Sequence, residues 1–346
     1  MTAALVIAGL GSFVIAVVCT WLVARNAARI GLLDEPNPRS SHVSSTPRGG
    51  GIGVVAGVAA GLLILIALGV HPGQRVAALL LATAAIAVLG AIDDVHHLRA
   101  AYRLVSQLVI AIALVIALGG VGRLPLPPPL DVPIGWLALP LTVLWLVGVT
   151  NFYNFMDGID GLAGGQAVAS CIGVAVAGWS QGAMQVALVL AASSLGFLVL
   201  NRPPAKIFLG DTGSTALGFA IAGLPLLAPE PHQPMALLAV AIGLSLFLLD
   251  PIETLLRLAR ARHRIGTAHR SHSYQLLAST RPLHVMVAGV LVAAGLALAL
   301  AGALAYRISW VAWPAILVGL GTFGVERYLA GRVSLGSASP PSRLDP

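Results

Sequence analysis

Charge is scarce in this chain: 10% of its 346 residues are Asp, Glu, Lys or Arg, while 58% are apolar and the mean hydropathy is +0.92. No polar stretch is long enough to fold by itself, which excludes a soluble domain. Cysteine is nearly absent. Cys19 and Cys171 both fall inside apolar runs, so neither a disulfide framework nor a thiolate zinc site is implied. The first segment lacks a basic n-region and an evident cleavage site before Arg25, and it reads as a retained span. No clear internal repeat is found, which weighs against a cation-coupled transporter, the competing class for a polytopic chain carrying acids.

What is present is a succession of apolar runs close to the roughly 20 residues that cross a hydrocarbon core of ~30 Å. They predict an all-α polytopic membrane protein with about eleven transmembrane helices, near 3–24, 52–70, 76–92, 104–121, 134–150, 162–179, 185–200, 213–228, 235–258, 283–305 and 308–325. These form one integral membrane domain over 1–330, followed by a disordered tail over 331–346. Gly49, Gly53, Gly57 and Gly61 recur every fourth residue along the second run and give that helix a smooth face for a close neighbour. The Pro-rich stretch from Arg123 to Pro133 reads as a loop.

Basic residues set the orientation, because Lys and Arg near span ends are retained on the cytoplasmic side. One set of loops holds seventeen of them, the other only Arg75, Arg123 and Arg307. The amino terminus is therefore expected on the periplasmic side and the carboxyl terminus in the cytoplasm. The formal net charge of +7 is a topology signal, and no nucleic-acid partner is read from it.

With that orientation Asp93, Asp94, Asp157, Asp160 and Asp211 fall on the cytoplasmic side, from loops far apart in sequence. Two acids at the carboxyl end of the third span face the negative end of the helix dipole, which costs about 0.3–1 kcal/mol each unless a cation compensates. Either they are a helix end paired with Arg99 and Arg103, or one serves a metal while its neighbour, about 100° round the helix, faces substrate. The run Asn151-Phe-Tyr-Asn154-Phe-Met-Asp157-Gly158-Ile-Asp160-Gly161 sets amides and acids at steps of three, as a polar stripe if helical and as a ligand-hugging loop if glycine breaks it. Lys206-Ile-Phe208-Leu-Gly-Asp211-Thr-Gly-Ser precedes the eighth span. Asp211 is there either a helix cap or a hard oxygen ligand for Mg²⁺ beside phosphate, and Phe208 either interface packing or a stacking face for a nucleobase. His269-Arg270-Ser-His272-Ser-Tyr-Gln closes an arginine-rich loop. It reads as a phosphate contact, since the neighbouring acids favour a hard metal over zinc. The stretch from Asp34 through His42 to Arg48-Gly-Gly-Gly pairs Arg donors with glycine backbone at a helix start, a setting for anions.

These motifs, in this order and spacing, resemble the polyprenyl-phosphate N-acetylhexosamine-1-phosphate transferase family, over roughly residues 1–330. The resemblance implies transfer of a sugar-1-phosphate from a UDP-N-acetylhexosamine to undecaprenyl phosphate, with release of UMP, at the cytoplasmic face of a bacterial inner membrane. It implies Mg²⁺, with Mn²⁺ as a substitute, held by Asp211 with Asn154. Asp93 and Asp94 would be catalytic. Asp157 and Asp160 would border the nucleotide, Phe208 would stack on uracil, and Asn151, Gly158, Lys206, His42, Arg48, His269, Arg270 and His272 would contact the substrates. The family also implies a homodimer. Asp250-Pro251-Ile-Glu253-Thr254 is similar to the family's ninth span, where proline breaks the helix beside a lipid groove. The cell-wall branch, acting on UDP-MurNAc-pentapeptide, has three consecutive histidines where this chain has His269-Arg-Ser-His272, and a lysine where it has Ser44-Ser45. The present form looks more like enzymes that start O-antigen or other surface polysaccharides, with the cell-wall reaction as the alternative.

Overall fold

The protein is described by a computed structural model covering residues 2–34, 45–260, 272–278 and 281–337. Thirteen α-helices form almost all of it. They are α1 (Thr2–Asn26), α2 (Gly51–Ala67), α3 (Gln74–His96), α4 (Ala100–Leu118), α5 (Ala138–Phe155), α6 (Leu162–Ala177) and α7 (Gln181–Asn201). Then follow α8 (Gly210–Gly223), α9 (Gln233–Gly243), α10 (Ser245–Arg260), α11 (Ser273–Leu277), α12 (Arg281–Arg307) and α13 (Ala312–Ser337). The fold is an all-α membrane protein. The departures among the described residues are a two-residue antiparallel pair, β1 (Leu33–Asp34) with β2 (Thr46–Pro47), in the connection between α1 and α2, and an isolated antiparallel bridge between Arg123 and Pro133.

Among the described residues six helices are long and apolar enough to cross a membrane, which makes seven spans if the bent pair α9/α10 counts as one. Each of the eleven expected segments falls on a helix or, for the ninth, on that pair. α13 runs to Ser337, past the expected start of the tail; residues 338–346 lie outside the described residues, as do His42, His269 and Arg270.

Apolar packing between helices gains little in lipid, so close approach and interhelical hydrogen bonds carry the association. Both are visible. α8 is buried from Thr212 to Gly223, surrounded by α2, α3 and α5. The glycine stripe of α2 lets α1 approach: a Cβ at Gly53 would lie 2.1 Å from Thr20 Oγ1, and one at Gly61 2.0 Å from Ser12 Oγ. Trp145 Nε1 donates to Ala222 O at 2.9 Å, and the buried Tyr153 hydroxyl to Ala163 O at 2.6 Å.

The ninth span is broken, though not at its proline. The chain bends by 72° between α9 and α10, at Leu244, whereas Pro251 lies inside α10. The Gly243 carbonyl at the break accepts from the buried Gln166 Nε2 at 3.0 Å. A partner brought by α6 thus compensates the interrupted helix, which lets irregular backbone sit at membrane depth.

Candidate active site

One end of the bundle gathers the carboxyl ends of α3 and α5, the amino ends of α2 and α8, and the short helix α11. Asp93 and Asp94, both buried, diverge from the end of α3 as adjacent helical side chains must. Asp93 accepts from Leu98 N at 2.7 Å and from Arg103 at 2.5 Å. Asp94 reaches the other way and serves as the cap of α8: its Oδ1 accepts from Asp211 N at 2.9 Å, and its Oδ2 from Thr212 N at 3.0 Å and Thr212 Oγ1 at 2.6 Å. Gly210 makes room for this. It sits at φ +74°, and a Cβ there would lie 2.8 Å from Asp94 Oδ2. Asp211 is therefore not the cap of α8; its carboxylate is released from that task and faces Asn154 and Arg103. Asn154 Nδ2 donates to Asp211 Oδ1 at 2.7 Å and to Ser214 Oγ at 2.8 Å, and Arg103 stands 3.3 Å from Asp211 Oδ2, bridging it to Asp93.

These groups open onto a polar cavity of about 350 Å³. Of the expected site residues, Arg48, Asp94, Asn154, Asp157, Gly158, Asp160, Phe208 and Asp211 line it. The Asp157 carboxylate has no hydrogen-bond or ion-pair partner among the described residues. Burial, with Asp211, Asp94 and Asp160 adding like charge, raises its carboxyl well above the ordinary carboxylate range. Asp160 Oδ2 accepts from Ala205 N at 2.9 Å, which ties the α5–α6 loop to the α7–α8 loop. Arg48 donates to the Asp94 carbonyl, while its buried Nε has no hydrogen-bond partner among the described residues. Backbone bonds from Phe208 N to Pro47 O at 2.8 Å and from Gly50 N to Phe208 O at 2.9 Å lock the Arg48 segment to the α7–α8 loop.

The remaining expectations lie elsewhere. Asn151 faces α4, with its amide donating to Gln107 Oε1 at 2.7 Å and Val147 O at 2.8 Å, which removes it from the cavity wall. Lys206 is exposed and does not line the cavity. His272 Nδ1 is 3.3 Å from Asp250 Oδ1, so it engages the ninth-span acid. The structure adds Asp34, Asn201 and Gln275 to the cavity lining, and His284 behind it, whose Nε2 accepts from Asp160 N at 3.0 Å. Asn201 was illegible because it closes an apolar helix with no motif around it. His284 stands alone at the start of α12.

Among the described residues, no three His, Cys, Asp or Glu side chains are grouped to hold a metal by themselves. The donor set nevertheless fits Mg²⁺, which takes one or two carboxylates and completes its octahedron with water and substrate phosphate. Asp211 and Asp157 would supply those carboxylates, with the Asn154 amide orienting Asp211.

A second cavity, apolar and about 390 Å³, runs along α5 and α10, lined by Leu141, Trp145, Val149, Phe152, Leu248 and Ile252 among others. Phe152 and Asn154, one on each cavity, are two residues apart on α5.

The profile of glycosyl transferase family 4 matches residues 76–228, the stretch that supplies both α3 acids, Asn154, Asp157, Asp160 and Asp211. The chain is 35% identical over 280 residues to a probable undecaprenyl-phosphate N-acetylglucosaminyl 1-phosphate transferase of Bacillus subtilis, covering 79% of this chain and 77% of that protein. It is 32% identical over 263 residues to a phospho-N-acetylmuramoyl-pentapeptide-transferase of Halalkalibacterium halodurans, covering 70% and 79%. To the same enzyme of Geobacillus kaustophilus it is 34% identical over 300 residues, covering 79% and 90%.

Proposed function

The chain belongs to the polyprenyl-phosphate sugar-1-phosphate transferases, glycosyl transferase family 4, and we propose that it moves N-acetylhexosamine-1-phosphate from a UDP-sugar to undecaprenyl phosphate, releasing UMP, to start a surface polysaccharide. The observation that carries this reading is a pair of cavities that share one helix, α5, which lines the first with Asn154 and the second with Phe152. One is polar, with carboxylates, a half-satisfied arginine and an aromatic face, and suits a nucleoside diphosphate sugar. The other is apolar, runs along two helices, and suits an isoprenoid chain. The His269-Arg-Ser-His272 form favours an N-acetylhexosamine donor over the muramoyl-pentapeptide donor of the cell-wall relatives.

In this reading the acceptor phosphate, whose second pKa lies near 6, attacks the sugar-linked phosphorus directly and UMP departs. Mg²⁺, when bound at Asp211 and Asp157, neutralises the charge of the diphosphate. Arg48 offers its free Nε–H to a phosphate oxygen, a charge-assisted contact. Asp94, with both oxygens engaged by the first turn of α8, places Asp211 and moves no proton. Asp93 holds Arg103 in position, so that its guanidinium faces the acceptor phosphate as it faces Asp211. Phe208 stacks on uracil.

The same proposal includes eleven crossings, with α2, α6, α8 and α13 added to the seven, an amino terminus outside, a bacterial inner membrane and the active site on its cytoplasmic face. α2 and α6 have 17 and 16 residues, about 24–26 Å at 1.5 Å each, short of the core by an amount that flanking residues and bilayer thinning accommodate. Homodimer formation is proposed from the family alone.

The test is UMP release by purified protein with undecaprenyl phosphate against a panel of UDP-sugars. Turnover is expected with Mg²⁺ or Mn²⁺, and Asp211→Asn should lose at least about a hundredfold in kcat, the scale of removing a principal electrostatic group. Undiminished turnover in excess EDTA would overturn the metal assignment, and uptake of solute into vesicles without UMP release would favour a transporter.

A further inference from the structure

Between the two cavities lies a buried linkage that the reaction as described leaves unused. Asp250, fully buried on α10, accepts from Ser273 N at 3.2 Å, Tyr274 N at 3.4 Å and Thr254 Oγ1 at 3.2 Å. One carboxylate thus anchors the start of α11 to α10, two residues from Leu248 and Ile252 of the apolar cavity wall. α11 places Tyr274, itself fully buried, so that its hydroxyl donates to Phe155 O at 2.9 Å, the carbonyl that ends α5. The same hydroxyl occupies the space beside Gly158: a Cβ there would lie 2.2 Å from it. Between Phe155 and Gly158 sits Asp157.

We propose that Tyr274 is a positioning residue for the donor site: anchored through Asp250, it clamps both ends of the Phe155–Gly158 turn and thereby aims Asp157 into the polar cavity. Asp157 needs such a clamp, because its own carboxylate has no hydrogen-bond partner among the described residues to hold it against the repulsion of its neighbours. The turn also has few bonds of its own, Met156 N to Phe152 O at 3.1 Å and Asp157 N to Asn154 O at 3.2 Å being the chief ones. Gln275, next in the chain, donates to the Tyr274 hydroxyl at 3.3 Å and lines the cavity, so the clamp and the wall are made by consecutive residues.

The inference rests on the transferase reading for its kinetic arm only; a second arm reads the turn directly. In full-length protein in detergent, Tyr274→Phe keeps the ring and removes the hydroxyl. Amide hydrogen exchange over residues 155–161 should accelerate by about tenfold, the scale of leaving a buried carbonyl unpaired, while exchange elsewhere holds. In the UMP-release assay kcat/KM for the UDP-sugar should fall by a similar factor, with KM for undecaprenyl phosphate unchanged. Gly158→Ala should impair the wild-type background more than the Tyr274→Phe background, since the group its methyl would strike is gone. Wild-type exchange over 155–161 in Tyr274→Phe, or full additivity of the two substitutions, would overturn the proposal. A uniform rise in exchange across the protein would also overturn it, by reducing Tyr274 to a packing residue. If the wild-type protein releases UMP from no UDP-sugar, the transferase reading fails while the exchange comparison still decides the clamp.

Discussion

At the residue scale the paired acids at the end of α3 divide into unlike tasks. Asp94 caps another helix from outside: three donors of the first turn of α8 fill its oxygens. Asp94→Ala should therefore lower the Tm of the detergent-solubilised protein by the equivalent of about 0.5–2 kcal/mol, the usual cost of a lost cap, before any question of catalysis arises. Asp93→Asn breaks no cap and is expected to leave Tm nearer to wild type while weakening activity; equal Tm losses for both would contradict the division. Asp157 points the opposite way. It is a half-buried carboxylate among carboxylates, so Asp157→Asn should raise the Tm measured without divalent cation while depressing turnover, as happens where a site holds unfavourable charge for function. A lower Tm in that variant would mean the acid is compensated. The sequence made these acids conspicuous because carboxylates are rare in apolar surroundings, and so eight expected residues do line the cavity. It could not say which oxygens were already engaged. Asp93, Asp94 and Asn151 look equivalent as polar letters near span ends. Only the packing of α3 on α8 and of α4 on α5 separates an acid paired with Arg103, a cap that also lines the cavity and an amide tied to Gln107.

At the scale of elements the apolar runs located the helices well, since a membrane leaves the backbone few other choices. The breaks were harder to place. Proline suggested a break at Pro251, yet the bend lies at Leu244, because the glycine before it and the amide of Gln166 on a neighbouring helix satisfy the interruption there. That partner is about 80 residues away and leaves no local pattern. Gln166→Leu should destabilise the protein by about 1 kcal/mol, the scale of a membrane-buried hydrogen bond, by leaving the Gly243 carbonyl unpaired. Thermal unfolding in detergent measures it, and an unchanged midpoint would mean that the break is held by packing alone. The two-residue β1/β2 pair was missed for the opposite reason, being too short to show a period of two. It matters to the site, because the Pro47 carbonyl in β2 accepts from the Phe208 N–H and so fixes the loop that lines the polar cavity.

At the scale of the whole molecule, the two ends of the bundle differ in chemistry. One end carries the acids and the polar cavity. Arg75, Arg123 and Arg307 share no residue with it and instead tie up loops and helix ends: Arg75 donates to Leu118 O at 2.7 Å, Arg307 to Ala177 O at 3.3 Å, and Arg123 pairs with Asp131 at 3.3 Å. Two of the three thus sit on carbonyls at the carboxyl ends of α4 and α6, where the helix dipole favours a cation. They serve local structure, and the proposed orientation puts that sparsely basic side outside and the seventeen remaining cations on the retained side. This sidedness decides whether a UDP-sugar, made in the cytoplasm, can reach the cavity. Single cysteines at the exposed positions His97, beside the Asp93–Asp94 pair, and Leu130, in the opposite loop, test it in a background carrying Cys19→Ala and Cys171→Ala. An impermeant thiol reagent added to intact cells should label position 130 and spare position 97 until the membrane is permeabilised. Labelling of 97 in intact cells would place the acids outside, away from the nucleotide, and the transfer reaction would then lose its donor.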